Sequence, residues 1–388
     1  MLKDGIHSMV DREKMIPNAK KLRDTYEMKK DAPIYMREFG FMSIDRWVEE
    51  GHISGIDDML NMGLYDEGGK DGGNCWLWGL GWTESDMVPA FEEKVIEDRG
   101  DHEVVLDLAG RHVLFFKGRR NGFMPEYIEH PVKDIKTWEE NIKPRLNPKS
   151  PERYGAEFQA SMKDAIELAG NGSMIRQFII GGYMYLRSLI GPLELLTMFY
   201  DNPELIHNCM ETWLNLADYY VAQVQKNVTL DEIAFGEDIC YKTGPLISPD
   251  MMKEFLFPYY QQLITNTKKR QIDKQRKLNI FLDTDGDVRS VIDHYKPLGF
   301  NIISPCEVAA CEDVTEIAKK YPDLIIQGGI DKRILAEGKN EIDRMIDHIM
   351  PYMKSRGGYV PHCDHVVPEE VSFENYIHFR KRLLEYSK

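Results

Sequence analysis

Leu278-Asn-Ile-Phe-Leu282, running into Asp283-Thr-Asp-Gly286, then a helical stretch near 287–297, then Phe300-Asn-Ile-Ile303 with Ser304-Pro-Cys-Glu307 behind it, decides how the chain is read. Each apolar, β-rich run is short, ends in polar loop residues and is separated from the next by a helix. Parallel strands need such crossovers, and strands buried on both faces read as continuous apolar runs. Upstream lie Asp231-Glu-Ile-Ala-Phe235 and Met174-Ile-Arg-Gln-Phe-Ile-Ile180, with helical segments around 184–200 and 203–226 between them. Downstream come a helix near 312–320, Leu324-Ile-Ile-Gln327, a helix near 339–354, Tyr359-Val360 and a closing helix from Ser372 to about Tyr386. Ser248 as N-cap, Pro249 at the first helical position and Asp250 in the first turn mark one helix start plainly, and that helix is expected to run to about Lys269.

Six strands alternating with helices, with room for two more upstream, predict an α/β fold: a single (β/α)8 barrel. A doubly wound open sheet is the competitor, which alternation alone does not exclude, although the sequence carries neither a glycine-rich dinucleotide fingerprint nor a phosphate-binding loop. Residues 1–388 are read as one domain, with 1–100 as an N-terminal extension covering one barrel face. The extension holds a charged helix at about 11–30, the extended Pro33-Ile-Tyr-Met-Arg-Glu38 and a Gly-, Asp- and Trp-rich loop from Asp66 to Trp82.

Composition narrows the function classes. The 388 residues are 43% hydrophobic and 29% charged, an ordinary globular profile, and Lys+Arg 49 against Asp+Glu 64 gives a net charge of -15 that repels phosphate backbones. No stretch reaches the roughly 18 apolar residues of a membrane helix, and the first residues lack the apolar core of a secretory signal, so a cytoplasmic protein is expected. Cysteines at 75, 209, 240, 306, 311 and 363 form no CxxC pair and are read as free thiols. Twenty methionines, flexible fillers of irregular apolar space, hint at a large pocket or a soft core.

In a barrel the chemistry sits just past the C-terminal ends of the strands. Those positions hold Glu237-Asp238, Asp283-Thr284-Asp285-Gly286, Pro305-Cys306-Glu307, Gly328-Gly329 and Pro361-His362-Cys363-Asp364-His365. Acidic, sulfur and imidazole groups thus gather where strands converge, a set from which a zinc site can be drawn. The Asp283-x-Asp285 spacing places both side chains toward the axis. Each residue also has an ordinary structural role open to it: Asp283 as a helix cap, Glu237 as a buried ion-pair partner, Cys363 as a small buried hydrophobe, His365 as a core hydrogen-bonder. Arg37 can clamp a carboxylate or form a structural ion pair, and Trp76, Trp78 and Trp82 can wall an aromatic ligand or plug a barrel end.

Taken in order, Gly236-Glu-Asp-Ile-Cys-Tyr-Lys-Thr-Gly-Pro-Leu-Ile-Ser-Pro249, Phe257-Pro-Tyr-Tyr260, Asp283-Thr-Asp-Gly286, Ser304-Pro-Cys-Glu307, Gly328-Gly-Ile-Asp-Lys332 and His365-Val-Val-Pro-Glu-Glu-Val-Ser-Phe-Glu-Asn-Tyr376 resemble the uroporphyrinogen decarboxylase superfamily, most of all its corrinoid-protein methyltransferase branch. The resemblance covers about 120–388 and implies a (β/α)8 barrel with its cleft at the C-terminal face. True uroporphyrinogen decarboxylases carry an Arg-Gln-Ala-Gly-Arg-Tyr segment; here Arg37-Glu-Phe-Gly-Phe41 matches it with Phe41 at the second arginine. Related coenzyme M methyltransferases hold zinc with a His-x-Cys pair and a late Cys. This chain has Asp283-Thr284-Asp285 and, late, Cys363 and His365 at those places.

Carboxylate and imidazole ligands leave zinc a stronger Lewis acid toward oxygen, which turns the resemblance toward the branch's O-demethylases. These move a methyl group from a methoxylated aromatic to the cob(I)alamin of a separate corrinoid protein. So read, Glu237, Asp285, Cys363 and His365 are the expected zinc ligands, with Asp283 and Glu307 orienting them or acting in catalysis beside Arg37. Trp76, Trp78 and Tyr241 would wall the ring or the cofactor. A metal-free decarboxylase, a non-catalytic corrinoid- or porphyrin-binding protein and a different methyl donor stay open as alternatives. The superfamily's barrels are often dimers, though no stripe in this chain shows it.

Overall fold

The structure, a computed structural model, describes residues 15–67, 69–118, 125–310 and 313–387. In chain order its strands are β1 (Asn74–Leu77), an antiparallel run β2 (Lys94–Arg99), β3 (His102–Leu106), β4 (His112–Phe116) and β5 (Glu126–Glu129), then β6 (Met174–Ile180), β7 (Glu232–Gly236), a ribbon β8 (Cys240–Tyr241) and β9 (Gly244–Pro245), β10 (Asn279–Asp283), β11 (Ile302–Ser304), β12 (Ile325–Gln327) and β13 (Tyr359–Val360). One sheet of order β1-β6-β7-β10-β11-β12-β13 is parallel throughout. The six strands expected from the sequence are all in it, with helices between them.

The two faces of this sheet are both buried, as a helix-covered parallel sheet requires. Phe178, Ala234, Phe281, Ile302, Ile325 and Val360, one from each of six successive strands, meet with Tyr35 in a single interior cluster. The Tyr26 hydroxyl bonds to Arg176 on β6, Glu232 on β7 and Gln327 on β12, three strands that are not all neighbours, so the sheet is curled around this interior. The alternate residues, such as Ile179, Phe235, Leu282, Ile303 and Ile326, belong to the larger core under the helices. Ser248 caps its helix as expected, its Oγ accepting from the Met251 N–H at 3.2 Å.

The seventh strand, β1, lies inside the stretch expected to be a loop. It is only four residues long, and Gly72-Gly73 before it and Gly79 after it mask its pattern. The extended Pro33–Glu38 stretch makes no ladder, yet Ile34, Tyr35 and Met36 are buried. Its place is held by loop contacts: Met36 donates to the Asp66 carboxylate at 2.8 Å, and the Asp66 N–H donates back to the Met36 carbonyl at 2.6 Å.

The antiparallel sheet β2-β3-β4-β5, inserted between β1 and β6, corresponds to nothing expected from the sequence. Its first strand is exposed at every position and its pairing is broken by two register shifts, so no period-two burial is written into it.

The helix Pro17–Tyr26 closes the lower end of the curled sheet, with Leu22 and Tyr26 in the interior cluster. Arg23 fixes it there. Its guanidinium spans the Asp231 carboxylate at 2.8 and 3.1 Å and the carbonyls of Gly172 and Ser173, just ahead of β6 and β7. Among the described residues no helix is long and apolar enough to cross a membrane. The described cysteines are all buried; Cys311 lies outside the described residues.

Removing one partner of a buried ion pair leaves the other uncompensated, at a cost of about 3 kcal/mol. Arg23→Ala is therefore expected to lower the unfolding free energy by about that amount, read as a lower urea midpoint with an unchanged denaturant slope, and a midpoint equal to the parent's would show that the helix does not depend on this pair.

Candidate active site

Between and beyond the residues of the interior cluster some inward positions are polar. Arg176 on β6 is fully buried and donates from Nε to Glu232 on β7 at 2.9 Å, while its guanidinium lies 3.6 Å from the Trp76 ring centroid. Tyr26 donates to the same Glu232 at 2.6 Å and accepts from Arg176 and from Gln327 on β12. Gln327 in turn accepts from Arg37 at 2.8 Å, and Arg37 Nε lies 3.0 Å from Glu67. Glu67 also accepts from Asn74 and from the Trp76 indole N–H at 2.8 and 3.2 Å. Burial works against its charge, but Arg37 and Arg176 outweigh it and hold the carboxyl below its usual range. The structure thus gives Arg37 its ordinary alternative, a structural ion pair, at the floor of a cavity.

That cavity measures about 210 Å³. Trp76, Trp78, Trp82, Phe178 and Phe281 wall it, Arg37 and Glu67 lie at its base, and Asp283 and Ser304 stand at the strand ends. Trp76, Trp78 and Trp82 stack in series, with centroids 5.4 and 5.1 Å apart, and Phe178 packs against Trp78 and Trp82 at 4.8 and 5.4 Å. Trp78 and Trp82 are nearly half exposed, so the stack opens to solvent. For scale, a dry cavity of about 150 Å³ accepts a benzene ring.

Carboxyl groups crowd the mouth. Asp283 is pushed well above the usual carboxylate range by burial and by the charges of Asp238 and Asp285, with Arg37 opposing only in part. Asp285, two residues further out, is raised to about 7 by burial and by Asp238 and Glu307, against Lys332 and Arg187. Asp238 has φ +43° and pairs with Arg187 at 3.2 Å. Glu307 accepts from the Gly286 N–H at 2.9 Å; Gly286 has φ +81°, and a Cβ there would strike the Cys240 backbone. Lys332 stands 3.9 Å from Glu307 and 3.8 Å from Asp364. His365 lies 3.9 Å from Asp285, against the Phe39 ring, and burial and Lys332 keep its imidazole toward the neutral form.

Of the residues expected to act here, Asp283, Arg37, Trp76 and Trp78 line the cavity, and Asp285, Glu307 and His365 surround its mouth. Glu237 is placed apart: its carboxylate is buried behind the sheet, accepting from Tyr260 and Tyr295 at 2.6 and 2.9 Å on neighbouring helices. It is Asp238, the next residue, whose charge reaches Asp283 and Asp285. Cys363 is also buried away from the mouth, beside Glu38, and burial with the Glu38 charge pushes its thiol well up. Tyr241 is exposed on the β8-β9 ribbon and does not line the cavity.

The expected zinc set is consequently split. Asp285 and His365 neighbour each other, Glu237 and Cys363 face elsewhere, and among the described residues no three His, Cys, Asp or Glu side chains converge in the manner of a metal centre. Glu67 and Arg176 were not foreseen, one in a loop without pattern and the other a cation inside an apolar run. His362 is buried with its Nε2 unpaired, and the alternation that turns Val360 inward turns it inward too.

A curled parallel sheet under helices, with its polar groups at the carboxyl ends of the strands, is an α/β enzyme-type scaffold. Residues 123–386 match the uroporphyrinogen decarboxylase (URO-D) family, and the chain belongs to it. Among solved structures, a methyltransferase from Methanosarcina mazei superposes with a TM-score of 0.58 at 13% identity, covering 95% of this chain and 99% of that one. The two share the fold. A B12-independent methionine synthase from Shewanella sp. W3-18-1 (TM-score 0.36, 12% identity, 92% and 97% covered) and xylanase B from Clostridium stercorarium F9 (0.33, 12%, 53% and 71%) superpose too loosely to carry weight. No curated protein matches the chain.

Burial raises the Glu237 carboxyl from an ordinary 4.5 to about 7. A carboxyl whose pKa is raised by folding stabilises the protein fully below its unfolded pKa, and that contribution is lost as pH rises through the folded value. Glu237→Gln, which keeps an acceptor for the two tyrosines, is therefore expected to shrink the drop in Tm between pH 5 and pH 8. An undiminished drop would show that Glu237 is already ionised in the folded protein.

Proposed function

We propose that the protein is a methyltransferase that removes the methyl group of a methoxylated aromatic and passes it to cob(I)alamin on a separate corrinoid protein. The observation that carries this reading is an aromatic-walled cavity ending at carboxyl groups that favour their protonated forms. The shared fold with a methyltransferase is in keeping with it. We further take the curled sheet to close as a (β/α)8 barrel with Pro33–Glu38 as its eighth stave, the whole chain to be one domain, and the protein to work in the cytoplasm.

Demethylating an aryl ether breaks the methyl carbon–oxygen bond and leaves both electrons on the aryl oxygen. A phenolate is a poor leaving group unless its charge is met as it forms. In this reading the ring lies against the exposed edges of Trp78 and Trp82, its ether oxygen at Asp283. Asp283 gives its proton to that oxygen as the bond breaks, so the product leaves as a phenol, and Asp285, further out and balanced near neutrality, returns a proton from solvent. The partner's corrinoid, when docked, supplies the nucleophile that accepts the methyl group. Arg37, neutralised by Glu67, adds no net charge at the base, which suits an uncharged ring.

A tetrapyrrole is four rings wide, and a cavity of about 210 Å³ lies below the roughly 300–1,000 Å³ of sites for drug-sized ligands. The cavity beside Asp283 therefore admits one ring of its ligand and not a whole porphyrinogen.

With reduced corrinoid protein and a methoxylated phenol, Asp283→Asn is expected to lower kcat at least about 100-fold with little change in KM. The wild-type rate should fall as pH rises through about 7, where Asp285 loses its proton, and this limb should be absent in Asp285→Asn. Full activity in Asp283→Asn would overturn the proton-donor role. Protein purified without chelator is expected to hold well under one zinc per chain. A full complement that disappears in Asp285→Ala and His365→Ala would instead give the task to a Lewis acid.

A further inference from the structure

We infer that the protein's methyl donors are neutral, hydroxylated two-ring methoxyaryl compounds, the second ring of which occupies a groove on the far side of Trp78 from the catalytic cavity. This rests on the aryl ether reading above and adds the class of ether.

The groove measures about 570 Å³ and lies between the end of β1 and the start of the helix Ala156–Gly170. Trp76 and Trp78 line it and the catalytic cavity alike, so the two indoles stand between the spaces. Trp78 is 45% exposed, which leaves its edge open to a ligand that bridges them. Beyond it the groove has its own aromatic floor: Phe158 and Tyr220 are buried and meet edge to face at 5.5 Å. Tyr220 reaches the rim because position 79 is glycine; a Cβ there would collide with the tyrosine hydroxyl. A ring held in the cavity by the tryptophans can thus carry a second ring over Trp78 onto Phe158 and Tyr220. The cavity alone is small for a whole ligand, whereas cavity and groove together fall in the usual range of binding sites.

Charge selects what the second ring carries. Among the described residues Arg153 is the one cation in the groove's lining, and its guanidinium is engaged by the Asp86 carboxylate and by the carbonyls of Asp86, Arg145 and Asn147. Glu152, Glu157 and Ser161 then face the groove as hydrogen-bond acceptors. Hydroxyl groups are welcome against them and a carboxylate is repelled.

The test is calorimetric binding to the full chain without any methyl acceptor, so affinity is read whether or not methyl transfer occurs. Three ligands are compared: guaiacol, its para-benzyl derivative with a hydroxyl on the second ring, and the same derivative with a carboxylate there. The hydroxylated two-ring compound is expected to bind at least about tenfold tighter than guaiacol, and the carboxylated one to lose that gain. Ser161→Trp, an exposed helical position whose new side chain fills the groove, should bring the two-ring advantage close to unity. Ala160→Trp, on the same helix and outside the groove's lining, should keep it. Guaiacol binding with no gain from the second ring, or a gain that survives Ser161→Trp, overturns the inference and leaves the methyltransferase reading standing. If no methoxylated ring binds at all, the aryl ether reading falls and takes the inference with it.

Discussion

A guanidinium held inside a curled sheet is the constraint on which this protein is built. Arg176 has almost no solvent exposure, and an unpaired buried charge would cost several kcal/mol. Glu232 neutralises it, Tyr26 satisfies a further donor, and Trp76 covers its face. Those partners come from a neighbouring strand, from the helix Pro17–Tyr26 and from β1, so satisfying one cation fixes three separately encoded segments. Through Tyr26 and Gln327 the same network reaches Arg37, and through Arg37 it reaches Glu67 and returns to Trp76. Each carboxylate in this closed circuit is matched by a guanidinium. A network so balanced in charge and so linked by hydrogen bonds rigidifies its members, which is what an aromatic wall needs if it is to present one orientation to a ligand.

The mouth a few ångströms outward obeys the opposite logic. Asp238, Asp283, Asp285 and Glu307 outnumber the cations near them, and burial adds to their mutual repulsion. Asp283 and Asp285 there keep protons that free carboxyls would release. The contrast between a balanced floor and an unbalanced rim separates residues that hold the site from residues able to do chemistry in it. It also explains why Glu237, next in sequence to Asp238, belongs to neither group: its hydrogen bonds run to tyrosines on the helix side of the sheet.

Much of the scaffold was legible because buried parallel strands are written as uninterrupted apolar runs. Met174–Ile180 and Asn279–Asp283 needed no tertiary knowledge to be found. β1 escaped because four residues between glycines carry too little pattern, and the antiparallel insertion because its first strand buries nothing. At the strand ends the sequence located the right loops but could not say which way neighbouring side chains point. A one-residue step reverses direction, which distinguishes Glu237 from Asp238 and Cys363 from His362. Glu67 had no signal of any kind, being recruited across the fold by two arginines.

The closed circuit also dictates when the cavity comes into existence. Its walls and floor draw on Arg37, Glu67 and the tryptophans between residues 76 and 82 at one extreme, and on Phe281, Asp283 and Ser304 at the other. β1 finds its partner in β6, with the whole antiparallel insertion between them. Contacts so distant along the chain form late, since the loops they close carry the largest entropic penalty. During synthesis the N-terminal segments must therefore wait, unpaired, for strands not yet made. Ligand binding can select only the finished fold, never an early intermediate.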